Sequence, residues 1–244
     1  MVLPGKNALF HVHTFRCKHA GDYPDREYVE KVLELGADQI WFTDHAPFPG
    51  NPFGNRMDIE ELPEYVSSLK ELREEFAGKI EVKIGLEIEY LPYADYTPEY
   101  YQGLRDSEEF DILMLGQHFY QEMDGTMSFD TAAGKGNNEM CGMSDNIVQG
   151  IMSSFFDAVA HPDRIFRRRK VWDDRMAHIS EEMIRFAVME KIPLEKNLNS
   201  MRHKHHYWKE FWEMVPKEHP VIYGIDAHAP EDLERWKAFM ESEK

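Results

Sequence analysis

Apolar positions along the chain fall into two alternating patterns. Short apolar-rich runs at 8–13 (ALFHVH), 38–44, 80–90, 110–118, 157–161, 192–198 and 220–227 predict strands. Between them, stretches whose apolar residues return every three to four positions predict helices near 24–35, 60–76, 97–107, 139–155, 173–191, 205–214 and 231–242. Pro24 opens the first helix, Gly36 follows it, and Gly78 closes the second. Strands alternating with helices in this way predict a parallel α/β domain, and the short, turn-bounded strands suit a sheet buried on both faces. The stretch 120–138 (YQEMDGTMSFDTAAGKGNN) has no period and reads as a loop over the C-terminal strand ends. No internal repeat and no linker interrupts the pattern, so residues 1–244 are expected to form one domain.

Composition narrows the class. With 42% hydrophobic and 30% charged residues the chain is globular in kind, which excludes wholesale disorder. Its longest apolar runs are about four residues, against the roughly 20 of a spanning helix, so no membrane segment is expected. No signal-like apolar centre lies near Met1, and Cys17 and Cys141 form no disulfide framework, which favours a reducing cytoplasm. The net charge of −17 repels phosphate backbones, so an extended nucleic-acid surface is not expected. That charge is unevenly spread. Residues 58–109 hold fifteen acids and five bases, whereas 164–170 (RIFRRRK) carry five bases and no acid.

The 12 histidines change the picture more than the charge does. His11 and His13 stand at i and i+2, so on a strand both imidazoles project to one side and offer half of a divalent metal site. His19 follows in the loop leaving that strand. His45, Glu87, His118, His161, Asp226 and His228 lie at or near the ends of later predicted strands. In a parallel sheet or barrel all those ends share one face, which would receive seven histidines and two carboxylates from independent strands. Nine N/O donors exceed the needs of one ion and imply more than one. Glu89 shares a strand face with Glu87, and the spacing alone does not choose between them.

The ordered motifs HVHTFRCKHA, FTDHAP, GLEIEY, GQHF, AHPD and GIDAHA, running from His11 to His228, resemble the polymerase-and-histidinol-phosphatase (PHP) family, and most of all its histidinol-phosphatase branch. The resemblance implies a distorted seven-stranded (β/α)7 barrel with a trinuclear metal site at its C-terminal strand ends. It implies one ion held by His11, His13, Glu87 and Asp226, with Glu87 bridging to a second held by His118 and His161. His19, His45 and His228 would hold a third. The ions would be Zn, Mn or Fe, since imidazole-rich sites with carboxylates suit all three. The run Leu194–Arg202 (LEKNLNSMR) resembles the branch's Glu-x-Asn-x-x-Gly-x-Arg stretch only loosely and holds no glycine.

The reading of the remaining residues follows from this frame. Arg16, Arg164 and Arg202 are candidates to bind a phosphoryl group, with salt bridges to the many acids as the alternative for each. Arg168 and Arg169 read as solvated surface, and Cys17 as a small packed residue. Asp44 could orient a ligand imidazole. His203, His205 and His206 read as the start of an exposed helix, and His178 and His219 as surface. The expected activity is hydrolysis of a small phosphorylated substrate, L-histidinol phosphate, by hydroxide generated between two ions flanking Glu87, with Asp226 or a ligand-adjacent histidine handling a proton. Glu195 is a candidate partner for the substrate amine. The alternatives are a phosphoesterase acting on nucleotides or nucleic-acid ends, and a non-catalytic metal-binding regulatory domain.

Overall fold

A computed structural model describes residues 3–95, 97–125, 127–129 and 136–242. Seven strands, β1 (Ala8–Val12), β2 (Gln39–His45), β3 (Glu81–Ile88), β4 (Ile112–Leu115), β7 (Ala158–Val159), β8 (Leu194–Asn197) and β9 (Val221–Gly224), form one sheet in the order β1-β2-β3-β4-β7-β8-β9. Two further strands, β5 (Phe119–Gln121) and β6 (Met127–Phe129), pair antiparallel as a separate ribbon. The helices are α1 (Asp25–Leu35), α2 (Leu62–Glu75), α3 (Thr97–Asp106), α4 (Gly136–Met152), α5 (Asp174–Glu190), α6 (Lys209–Met214) and α7 (Glu234–Ser242). The chain divides into two compact units.

The first unit comprises residues up to Glu87, Glu108–Ile112 and the chain from Tyr223 onward. Here β1 pairs with β2 and β2 with β3, all parallel, in a register that sets His45 opposite Glu87. The returning chain runs beside β1. Ile225 donates its N–H to the Phe10 carbonyl (2.8 Å), Ala227 to His11 (3.1 Å), and His13 donates to Ala227 (2.9 Å). The strands are apolar on both faces, and Leu9, Phe10, Val12, Ile40, Trp41, Phe42, Val82 and Ile84 are all buried, as parallel strands require. Gly85 is obligatory here. A Cβ at that position would sit 2.4 Å from the Ile112 side chain and 2.7 Å from the Ile112 carbonyl oxygen. Helix α1 ends in a left-handed Gly36, as the sequence predicts.

The second unit comprises Ile88–Ser107 and Leu113–Ile222. Strand β4 pairs parallel with β7 through Met114–Ala158 and Leu115–Val159, and β7 pairs parallel with β8 through Val159–Leu194. Asp173 caps α5 by accepting the Met176 N–H (2.9 Å). The aperiodic stretch 120–138 is not simply a loop. It holds most of the β5–β6 ribbon and the first turn of α4, while residues 126 and 130–135 lie outside the described residues. Strands of three residues are too short to show a period of two. The predicted helix at 205–214 begins only at Lys209, because His203–His206 form a turn closed by the His206 N–H on the His203 carbonyl (3.1 Å). His178 is exposed, but His219 is buried rather than on the surface.

Candidate metal centre

The donors of the first unit converge where β1, β2, β3 and the chain after β9 end. His11 is a bulge in β1. The register with β2 shifts between Phe10 and Val12, and His11 takes a left-handed φ of 69°. A bulge re-aims its side chain, and the His11 and His13 Nε2 atoms end 3.1 Å apart. Glu87 Oε2 lies 3.5 Å from each of these nitrogens and 3.1 Å from His45 Nδ1. Asp226 Oδ1 lies 3.4 Å from His13 Nε2 and 3.9 Å from His11 Nε2. His19 and His228 bring their Nε2 atoms within 3.1 Å of each other, and the Cys17 carbonyl holds the far nitrogen of the His19 ring (Nδ1, 2.7 Å). Cys17 itself is buried, as expected.

Backbone strain falls on some of the expected donors of each unit. His11, His161 and Asp226 have φ values of 69°, 27° and 55° without being glycine. Such conformations cost about 1–3 kcal/mol each and persist where the surroundings hold them, most often at functional sites.

The electrostatics of the first unit suit a cation. Burial, the largest single effect on His13, opposes its charged form, yet hydrogen bonding to Asp226 and Asp44 and the charge of Glu87 push it up to about 9. Burial also works against ionised Asp226, but His13 and the neighbouring imidazoles hold its carboxyl well below the usual range. Burial and the charge of His13 push His228 down to about 4. The donor chemistry passes a direct test of fit. One ligand atom each from His11, His13 and Asp226 lie within 4.8 Å of one another, as do those of His13, His45 and Glu87, and of His19, His45 and His228. Imidazoles alone or with one carboxylate, at this spacing, are what a divalent transition ion takes.

A second layer fixes these rings. Asp44 accepts the Thr14 N–H (3.1 Å), the Thr14 hydroxyl and the His45 N–H (2.9 Å), and its Oδ1 faces His13 Nδ1 at 3.6 Å. Outer carboxylates of this kind set the tautomer of a ligand imidazole. Arg16 stands behind Thr14 and is buried. One of its terminal nitrogens grips both Asp25 oxygens (2.9 and 3.0 Å), and Nε and the other terminal nitrogen grip Glu64 (2.7 and 2.9 Å). Arg16 also donates to the Thr14 hydroxyl (3.2 Å) and lies over the Phe15 ring. These contacts are the salt bridges given as the alternative to a phosphate role for Arg16. The guanidinium is committed to carboxylates supplied by α1 and α2.

In the second unit, Glu89 Oε1 holds His118 Nδ1 at 3.0 Å, and the His118 and His161 rings stand 5.1 Å apart. Glu89 thus orients a histidine while Glu87 faces several, a division that the i, i+2 spacing left open. Glu195, expected near a substrate amine, is buried and accepts the His161 N–H (3.0 Å) and an Asn197 amide N–H (3.3 Å). Arg202 is exposed at the end of a short turn. His206 is pushed down to about 4 by burial and by the charges of Arg164 and Arg167. Asp163 went unnoticed in the sequence. It is buried, and its Oδ2 accepts the Trp208 N–H (2.7 Å) and the Trp212 indole N–H (3.0 Å). Burial pushes its carboxyl up to about 7 against these two bonds. Its signal was the AHPD motif, read only for its histidine.

Buried imidazoles and carboxylates gathered at the ends of parallel strands define a metal-binding α/β protein. The match of the PHP domain family to residues 10–198 is more specific, and the chain belongs to that family. A probable histidinol-phosphatase from Deinococcus radiodurans is 32% identical over 163 residues, which cover 63% of this chain and 59% of that protein. The histidinol-phosphatase of Bacillus subtilis is 22% identical over 95% of this chain and 97% of its own. A solved structure of a candidate histidinol phosphatase from Listeria monocytogenes superposes with a TM-score of 0.81 at 17% identity, covering 95% of this chain and 99% of that one. A Lactococcus lactis histidinol phosphate phosphatase, solved with zinc, L-histidinol and phosphate, gives 0.71 at 20% identity over 97% and 93%. The expected α/β class and PHP-type seven-stranded barrel are thus the fold of this chain.

Proposed function

We propose that the chain is a metal-dependent phosphomonoester hydrolase that converts L-histidinol phosphate and water to L-histidinol and phosphate. One observation carries the reading: His11, His13 and Asp226, and likewise His13, His45 and Glu87, bring their donors within ligand range of one another, all of them buried except the half-buried Asp226. Relatives named histidinol-phosphatase, one nearly full-length, support the substrate. The family resemblance adds His118 and His161 and a total of three divalent ions, Zn, Mn or Fe, and the two cysteines without a disulfide framework favour the cytoplasm. When bound, such ions acidify coordinated water to supply a hydroxide nucleophile and offset charge on the phosphoryl oxygens.

The chain's own residues do the rest. Glu87 and Asp226 provide the negative charge that balances the cations, and Asp226 is held ionised beside His13. Glu89 keeps the His118 Nδ1 engaged and Asp44 faces the His13 Nδ1, leaving the opposite nitrogens for ligation. Burial of His11, His13 and Glu87 keeps bulk water from competing. Arg164 and Arg202 are the phosphate-binding candidates that remain once Arg16 is assigned to Asp25 and Glu64. Among the described residues no helix is long and apolar enough to cross a membrane.

The test is phosphate release from L-histidinol phosphate by metal-loaded protein, alongside nucleoside monophosphates and short single-stranded oligonucleotides. Turnover of histidinol phosphate that chelation abolishes supports the reading. Turnover restricted to nucleotides or oligonucleotide ends selects the alternative substrate class, and binding of metal without any turnover selects the regulatory one.

A further inference from the structure

The turn after β7 carries two residues of the proposed site, His161 and Arg164, and its backbone is strained where it starts, at the left-handed His161. On one side the His161 N–H is tied to Glu195. On the other, Asp163 reaches out of the turn and takes the Trp208 backbone N–H and the Trp212 indole N–H on one oxygen. Trp208 in turn donates its own indole N–H to the His205 carbonyl (2.9 Å), and the His205 ring stacks on it at 5.7 Å. The segment from His203 to Trp208 is therefore hung from the turn that bears Arg164. His206 within it feels the charge of Arg164, Arg167 and His161, and its ring stands 5.3 Å from that of His203. Arg202 directly precedes this segment.

From this geometry we propose that Asp163 is a positioning residue for phosphate recognition: it ties the segment that follows Arg202 and carries His206 to the turn that carries Arg164, so that Arg164 and the segment beside it keep one spacing. The inference rests on the phosphatase reading above. Both donors to Asp163 are neutral N–H groups, so the role needs an acceptor oxygen in this place and not a charge. Tying two segments costs nothing at the moment of binding, whereas segments left loose must be ordered by the ligand, and affinity falls accordingly.

The experiment measures inorganic phosphate binding to zinc-loaded, full-length protein by calorimetry for wild type, Asp163→Ala, Asp163→Asn and Trp212→Phe, with zinc content and thermal unfolding recorded for each. Asp163→Ala is expected to weaken phosphate about tenfold at unchanged zinc content, because Glu195 still holds His161. Trp212→Phe, which removes one donor of two, is expected to weaken it about threefold and covers the case in which the alanine variant does not fold. Asp163→Asn keeps an acceptor oxygen and is expected to stay within about twofold of wild type. The proposal is overturned if folded Asp163→Ala and Trp212→Phe bind as wild type does, if Asp163→Asn is as weak as Asp163→Ala, or if zinc is lost along with phosphate. Wild-type protein that binds no phosphate overturns the phosphatase reading and this inference with it, whereas unchanged variants of a phosphate-binding wild type overturn the inference alone.

Discussion

Replacing Arg16 by methionine separates a structural arginine from a phosphate-binding one. The side chain is buried, and its bonds to Asp25 and Glu64 differ in kind, because the Asp25 side chain is only 4% exposed and that of Glu64 is 62% exposed. Removing one partner of a buried pair costs about 3–5 kcal/mol, because the other charge is left without compensation. Ser68 still donates to Asp25 at 2.8 Å, which favours the lower end, about 3 kcal/mol. The exposed Glu64 half adds about 0–1 kcal/mol. A loss of about 3–4 kcal/mol at about 2–4 °C per kcal/mol for a chain of this size lowers Tm by roughly 6–16 °C. Differential scanning calorimetry of wild type, Arg16→Met, Asp25→Asn and the double variant measures it. The double variant should recover at least about 1 kcal/mol of the single loss, since the neutral amide that replaces the Asp25 carboxylate no longer needs the guanidinium. A variant that keeps its Tm but binds phosphate tenfold more weakly would refute this reasoning and return Arg16 to the substrate.

Three more outcomes are expected. Asp44→Ala should weaken zinc affinity about 10–100-fold, read by competition with a chromophoric chelator, because the His13 and His45 segments lose their outer acceptor. Dialysis against a strong chelator should abolish histidinol phosphate hydrolysis and lower Tm, and zinc should restore both; each site loaded at 100 times its Kd adds about 2.7 kcal/mol. Glu64 is pulled below its ordinary 4.5 chiefly by its hydrogen bonds to Arg16. A carboxyl lowered on folding stabilises fully above that value and loses its contribution as pH falls through the folded one. Urea titrations between about pH 3 and 6 should therefore show an acid-side loss that shrinks in Arg16→Met and in high salt, Glu64 being exposed.

Much of this was legible in the sequence because it depends on period and order. The seven principal strands fall within one residue of their predicted spans or inside them, and the helices follow the 3.6-residue spacing between them. His11, His13, His19, His45, Asp226 and His228 stand out by their places on, at or just after strand ends, the family resemblance selects Glu87 over Glu89, and the structure brings these residues together. What stayed hidden depends on distant partners. Arg16 finds Asp25 nine residues on and Glu64 forty-eight residues on, and nothing local says that two helices will present those acids to it. Glu87 and Glu89 look alike along a strand and are told apart only by which imidazole each meets. The His203–His206 turn looked like the start of a helix because the pull of Asp163 on Trp208 comes from forty-five residues away.

The span of the His19–His228 contact bears on how the protein comes to be made. The two nitrogens stand 3.1 Å apart, yet 209 positions separate them along the chain. At a synthesis rate of about 5–20 residues per second, roughly 10–40 seconds pass between the first imidazole leaving the ribosome's decoding site and the arrival of its partner. Closing so large a loop carries an entropy cost of several kcal/mol, growing as about (3/2)RT ln n. Until then the nascent segment offers His11, His13 and His19 without Asp226 or His228, a weak and incomplete trap for any passing ion. A centre that draws on these donors is complete only once Asp226 and His228 have been made, so it belongs to the finished chain and not to its first histidines.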